Sequence, residues 1–399
     1  MKYEYKKLFS SKLLLIMLAL TFAYMVYLPM REVWGSIENN RKTVNAYENI
    51  IAKAQADNKT YGELYEEIND IFANGEAKPI YSDNAVNDVG SIMFAADKLQ
   101  YVTTGFESDR KEIVKGMIYQ NVTKQQKESP DKYLIRANEK AISQYNRRIE
   151  LEFENTGINS SGYYSSFNYS MWEYVMIALC VMMTVRLFTL EYTTSAYCLV
   201  NTSKRTVQNI FLKKYLAIIS IAAVVLLVQA VFEIGFGMYA YGAKNFRLPL
   251  QQIAEFEYCP YILSIAEFYV IKYFVRLICY TAVISATALI AVFIKRPLIV
   301  NIISIIISAG GLAANMALFV AIDKSEKSKS ALIPIYDRLR VFLPQSLLNI
   351  REYLKSFDCF SLFGYPCSRI GFCIVLTVII SVVCAVLGYV ISGKIRRAA

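Results

Sequence analysis

The sequence predicts an all-α polytopic membrane protein, with six transmembrane helices and a large, mainly helical extracytoplasmic domain between helices 1 and 2. Three observations predict it. Hydrophobic residues fill 55% of the 399 positions and charged residues only 19%. Several apolar runs approach the roughly 20 residues a helix needs to cross a hydrocarbon core of ~30 Å. The net charge of +10 is also unevenly held: residues 31–169 carry 17 basic and 21 acidic side chains, and the remainder carries 26 and 12. The basic excess therefore accompanies the apolar part, where it sets topology and meets anionic lipid.

The first span is Leu13 to Met30, preceded by Lys2, Lys6, Lys7 and Lys12. The LPMREVW that closes it has no small-residue cleavage site, so a retained helix is expected rather than a cleaved signal peptide. Residues 1–30 thus form a cytoplasmic N-terminus and helix 1. The block from Arg31 to Tyr169 has the size of one domain. Its apolar residues recur at helical spacing (Val44, Tyr47, Ile51; Leu134, Ile142, Tyr145, Ile149), and Ser129-Pro130 has the form of a helix start. Breaks fall at Asn74 to Asn84, at Gly105 and at Glu154 to Ser166, which makes a small helical bundle on two tethers. The Val44, Tyr47, Ile51 stripe reads as a packed core face before it reads as a partner groove.

Residues 170–399 form a five-helix membrane domain. Its first span, Ser170 to Thr189, contains Glu173 and Arg186, which lie roughly 20 Å apart along a helix and are expected to snorkel to opposite interfaces. Leu216 to Tyr241 follows. The next span ends at Ile294 and has no clear start, since Tyr261 to Ile294 as one helix would be roughly 50 Å long. Lys295 and Arg296 then make a tight turn into Leu298 to Ile322. The last span, Ile370 to Ser392, runs into GKIRRAA. Tyrosines such as Tyr163, Tyr164, Tyr169, Tyr174, Tyr239 and Tyr241 suit the membrane–water boundaries. The basic residues of the short connections place both termini in the cytoplasm and residues 323–369 outside, in a multi-pass protein of the cell membrane.

Missing residues exclude whole classes of chemistry. Without a histidine there is no His-assisted hydrolase, no HExxH zinc site and no imidazole relay. No G-x-x-x-x-G-K-[ST] occurs, so the chain has no P-loop, and ATP-driven work has to come from a partner. No catalytic residue, metal ligand or enzyme activity is expected. No compact basic face with stacking aromatics stands apart from the spans, which argues against nucleic acid.

Polar residues within the spans are candidates for a translocation path or for interhelical bonds. Gln229 and Glu233 share one helix face, and Glu233 reads as an interhelical partner, or as a residue hydrated near the outer boundary, before it reads as a path-lining one. Lys272 and Arg276 share another and are expected to snorkel. SAGGLAANMA, Ser308 to Ala317, permits close helix approach and offers Asn315 as a bonding partner. Cys359 and Cys367 can close a small disulfide loop or remain thiols.

The segment 190–215, LEYTTSAYCLVNTSKRTVQNIFLKKY, is charged and lies between two spans. Ala196, Leu199 and Val200, then Val207, Ile210 and Phe211, give two short amphipathic helices broken at Asn201-Thr202-Ser203-Lys204. An acidic residue after the second span (Glu191), a small-residue turn (Asn201 to Arg205) and a lysine entering the third (Lys213) together resemble the cytoplasmic coupling element of ABC-2 type ABC transporter permeases. The one-plus-five order of spans and the FLPQSLLNIREYL stretch, Phe342 to Leu354, are similar to that family as well.

The resemblance implies an exporter membrane subunit that pairs with a second permease, identical or not, and with cytoplasmic ABC ATPase subunits that bind ATP and Mg. Glu191, Lys204, Arg205 and Lys213 would couple to those ATPases. The substrate class it implies is hydrophobic or amphipathic: drug, peptide or lipid-like. A receptor or scaffold whose outside domain binds an envelope or external partner is the alternative. It has no need of a coupling segment.

Overall fold

The computed structural model describes residues 2–27, 136–137, 139–140, 143, 171–193, 207–241, 245–247, 249–250, 256, 259, 261–328, 343–354, 359–362 and 365–398. Its elements are α1 (Lys2–Phe9), α2 (Lys12–Tyr27), α3 (Met171–Thr193), α4 (Val207–Tyr241), α5 (Ile265–Ile294) and α6 (Pro297–Ser328). A 3₁₀ turn (Pro344–Asn349), α7 (Ile350–Leu354), a hairpin of β1 (Cys359–Leu362) and β2 (Tyr365–Ser368), and α8 (Arg369–Ala398) complete it. Apart from five helical positions between Arg136 and Ser143, the expected domain 31–169 lies outside the described residues.

Among the described residues five helices are long and apolar enough to cross a membrane, those of α3, α4, α5, α6 and α8, and the bent pair of α1 and α2 makes a sixth if it is one span. Of the first expected span, Leu13 to Met30, the described part, α2 up to Tyr27, is helical, and α2 is bent by 81° from α1 at Ser10-Ser11. Tyr24 stacks on Trp172, with ring centroids 6.2 Å apart, and this holds α2 to α3.

The uncertain start of the fourth expected span is settled by a capping box. Ser264 accepts the Glu267 amide through its hydroxyl, and the Glu267 carboxylate accepts the Ser264 amide, so α5 begins at Ile265. Its end follows the expected turn. Lys295 takes a left-handed conformation (φ 55°), and Pro297 opens α6 where its missing N–H costs nothing.

At the other end of the bundle the 344–354 segment folds back onto α5, α6 and α8 and buries Gln345, Ser346, Leu347 and Leu348. The hairpin beyond it is a small departure from the all-α expectation. Its register pairs Cys359 with Ser368 and Phe360 with Cys367. Cys367 is a free thiol, so of the two readings of Cys359 and Cys367 the open one holds, and the loop is closed by the backbone ladder.

Helix α5 is the centre, packing against α3, α4, α6, α8 and the 344–349 turn. Around it, Leu298, Ile302 and Ile306 on α6 and Val375, Val382 and Val386 on α8 stay exposed. Apolar surface of that extent is what a bilayer solvates.

Glycines set the closest approaches. A Cβ on Gly388 of α8 would lie 2.8 Å from the Phe211 ring of α4, and one on Gly393 would lie 2.6 Å from the Gln208 amide. In the SAGGLAANMA stretch, Gly311 admits the Gln345 side chain at 2.8 Å, whereas Gly310 meets nothing within 4 Å. The small residues there serve packing within the chain at Gly311 and leave Gly310 open. Gly388→Ala is therefore expected to cost about 1–3 kcal/mol by overpacking, and Gly310→Ala to gain about 0.5–1 kcal/mol of helix stability. Thermal unfolding in detergent would read the two opposite signs.

Candidate functional site

Two layers of buried charge cross the bundle. The first is at the end bearing Lys295 and Arg296, here the basic end. Glu191, near the end of α3, meets Lys7 of α1 and Lys214 of α4, each at 2.8 Å. Glu191 and Lys214 are buried, at 7% and 4% exposure. Both carboxylate oxygens are engaged, so one side chain joins three helices.

The Lys7 ammonium also lies 3.5 Å from Glu4, and Lys214 sits 5.6 Å above the Phe188 ring. Lys7 stands outside the spans. Burial pulls its pKa down, but Glu191 and then Glu4 outweigh this and hold it above the usual lysine range. One turn away, the Lys295 ammonium lies 5.3 Å over the Tyr192 ring, so the α5–α6 turn rests on the same end of α3.

The Glu191 partner on α4 is Lys214, which the sequence reading did not single out; Lys213, the lysine expected to couple to the ATPases, is half-buried and among the described residues has no ion pair. The second expected amphipathic helix is also corrected: Val207, Ile210 and Phe211 are the first turns of α4, continuous with the span. Phe211 packs inward, edge-on to Phe188 at 5.1 Å and to Tyr389 at 6.4 Å. Its apolar spacing marks a bundle face rather than a membrane-surface face. Lys204 and Arg205 lie outside the described residues, and of Asn315 only the helical backbone is described.

The second layer lies toward the hairpin end. The Arg276 guanidinium of α5 pairs with Glu173 of α3, and Lys272 of α5 pairs with Glu233 of α4. Tyr280 donates to Glu173 and Tyr273 to Glu233. All four charged residues are buried, at 3% to 7% exposure. The snorkelling expected of Glu173, Lys272 and Arg276 does not occur, because two acids and two bases at matching depth neutralise one another inside the protein. Glu233 is the interhelical partner its position suggested. Gln229, one turn away on the same face, keeps its buried Oε1 without a hydrogen bond.

Between the layers several hydroxyls are paired locally, while the buried Thr287 and Ser304 hydroxyls have no hydrogen-bond partner among the described residues. Thr184, Thr189, Thr281 and Thr377 return their hydroxyls to carbonyls one turn earlier. Ser285 donates to the Thr281 carbonyl and accepts from Tyr215 of α4, at 2.7 Å, and Ser381 of α8, at 3.1 Å, so three helices meet at one hydroxyl.

Glu173 and Glu191 are 18 residues apart on α3, about 27 Å along the axis. Lys214 and Glu233 are 19 apart on α4, about 28 Å. Both spacings approach the ~30 Å hydrocarbon thickness. Sequence reading missed this second layer. Matching charges by depth across neighbouring helices, instead of helix by helix, is the signal that finds it.

No known protein family, curated protein or solved structure matches the chain.

Breaking one partner of the second layer strands the other in a dry bundle. Glu173→Leu or Arg276→Met alone should each cost about 3–5 kcal/mol, and the double replacement far less than their sum. A double-mutant cycle on unfolding in detergent measures the difference.

Proposed function

We propose that this chain is the permease subunit of an ABC-2 type exporter, with α2 as the first of six spans and residues 31–169 outside the cell membrane. Both termini and the basic end face the cytoplasm. A second permease and separate ATPase subunits, which bind ATP and Mg, complete the assembly. The cargo is hydrophobic or amphipathic.

The observation that supports this reading best is the sharing of Glu191 between Lys7 and Lys214. A force applied to the 194–206 connection reaches the ends of α1, α3 and α4 together. Helix α4 then carries it without a break for 35 residues, past the second charged layer. A receptor gains nothing from so stiff a link at the far side of the membrane. This arrangement suits an input from soluble subunits and a response at the opposite border.

The test is co-purification with an ATPase encoded beside the gene, followed by transport and ATP turnover. Glu191 itself is a poor probe, because truncating it strands Lys214 in the bundle. Lys7→Met removes the α1 arm and spares the Lys214 pair, and Arg205→Ala alters the expected docking turn. Each should leave folding intact and lower cargo-stimulated ATP turnover by about tenfold, or ~1.4 kcal/mol of lost coupling. Absence of any associating ATPase, or unchanged coupling in both variants, rejects the proposal.

A further inference from the structure

Helix α3 is buried on nearly every side. Between Trp172 and Glu191 the side chains left partly open are Tyr174, Val175, Ala178, Met182, Arg186 and Leu190, most of them in steps of four that make one narrow stripe. Arg186 differs from the other cations of the bundle's interior. Lys214, Lys272 and Arg276 each meet a carboxylate. Among the described residues Arg186 has no ion pair and no hydrogen bond, and its Nε is buried without a partner.

An arginine at this depth has to find an anion or water. It stands five residues before Glu191, about 8 Å inside the basic-end layer. Its own length brings the guanidinium back to headgroup level. There the planar fork matches a phosphate with two parallel N–H···O bonds. The same end carries Lys295 and Arg296, which attract anionic headgroups.

Below Arg186 the stripe is apolar. From Arg186 to Tyr174 it runs about 18 Å, close to one leaflet of a ~30 Å core. Ala178 leaves room along it, and the flexible Met182 adapts to an irregular neighbour. The residues flanking the stripe are buried, so it is about one side chain wide. That width admits an acyl chain and excludes a helix of about 10 Å diameter.

We propose that Arg186 and the stripe Met182, Ala178 and Tyr174 form a binding site for one phospholipid with an anionic headgroup, its phosphate on the guanidinium and one acyl chain along α3. The site is independent of any ATPase, and its test needs none.

The full chain, purified in detergent, is measured for retained phosphatidylglycerol by native mass spectrometry and for thermal stabilisation by added phosphatidylglycerol, phosphatidylcholine or inorganic phosphate. The wild type should retain phosphatidylglycerol and gain several degrees from it, more than from phosphatidylcholine, with inorganic phosphate without effect. Arg186→Gln should weaken that binding by about tenfold or more, ~1.4 kcal/mol, with Arg186→Lys between the two. Ala178→Trp keeps the guanidinium and fills the stripe, so it should also lose the lipid. It decides the matter if Arg186→Gln fails to fold. Equal phosphatidylglycerol retention in the wild type and Arg186→Gln overturns the proposal. Equal retention in Ala178→Trp, or full stabilisation by inorganic phosphate alone, overturns it too.

Discussion

A charge withdrawn from water and denied to lipid persists only where an opposite charge meets it, and this constraint organises the bundle. Arg276 and Glu173 are each buried beyond the reach of either solvent. Lys272 and Glu233 repeat the arrangement one helical turn away. Because α5 supplies both cations while α3 and α4 supply the acids, the pairs fix the rotation and depth of two neighbours about one central helix. Apolar packing alone would leave sliding cheap, since lipid tails compete on equal terms with Leu or Val.

The Glu191 cluster imposes a similar condition at the opposite border. With both ends pinned, α3, α4 and α5 have one register in which all the charges pair. Insertion of a single residue between Lys214 and Glu233 would turn one layer by about 100° against the other. Smaller features conform to that register: Phe211 seated against Gly388, Gln345 against Gly311, and three helices converging on Ser285.

Much of the helical framework was legible because it follows from length and hydropathy. The runs ending at Tyr241 and Ile294, the Lys295-Arg296 turn and the helix from Arg369 all stand close to where the apolar stretches put them. Pairing was harder to read. Glu173 and Arg276 are separated by 103 positions, and each viewed alone near the end of a span resembles a snorkelling residue. Lys213 and Lys214 are neighbours in sequence, and only the rotation of α4 decides which one turns inward. The amphipathic spacing of Val207, Ile210 and Phe211 was real, but its apolar side is covered by α3 and α8, a tertiary fact that no local period contains.

The clamp at Glu191 also bears on how the molecule is made. Lys7 leaves the ribosome 184 positions ahead of its acceptor, Glu191. At ordinary elongation rates of ~5–20 residues per second, that interval is about 10–40 s. Throughout it α1 is without this carboxylate. Only when the chain beyond α3 emerges can α1 and the later helices lock together, so the contact closes as a late checkpoint of biogenesis.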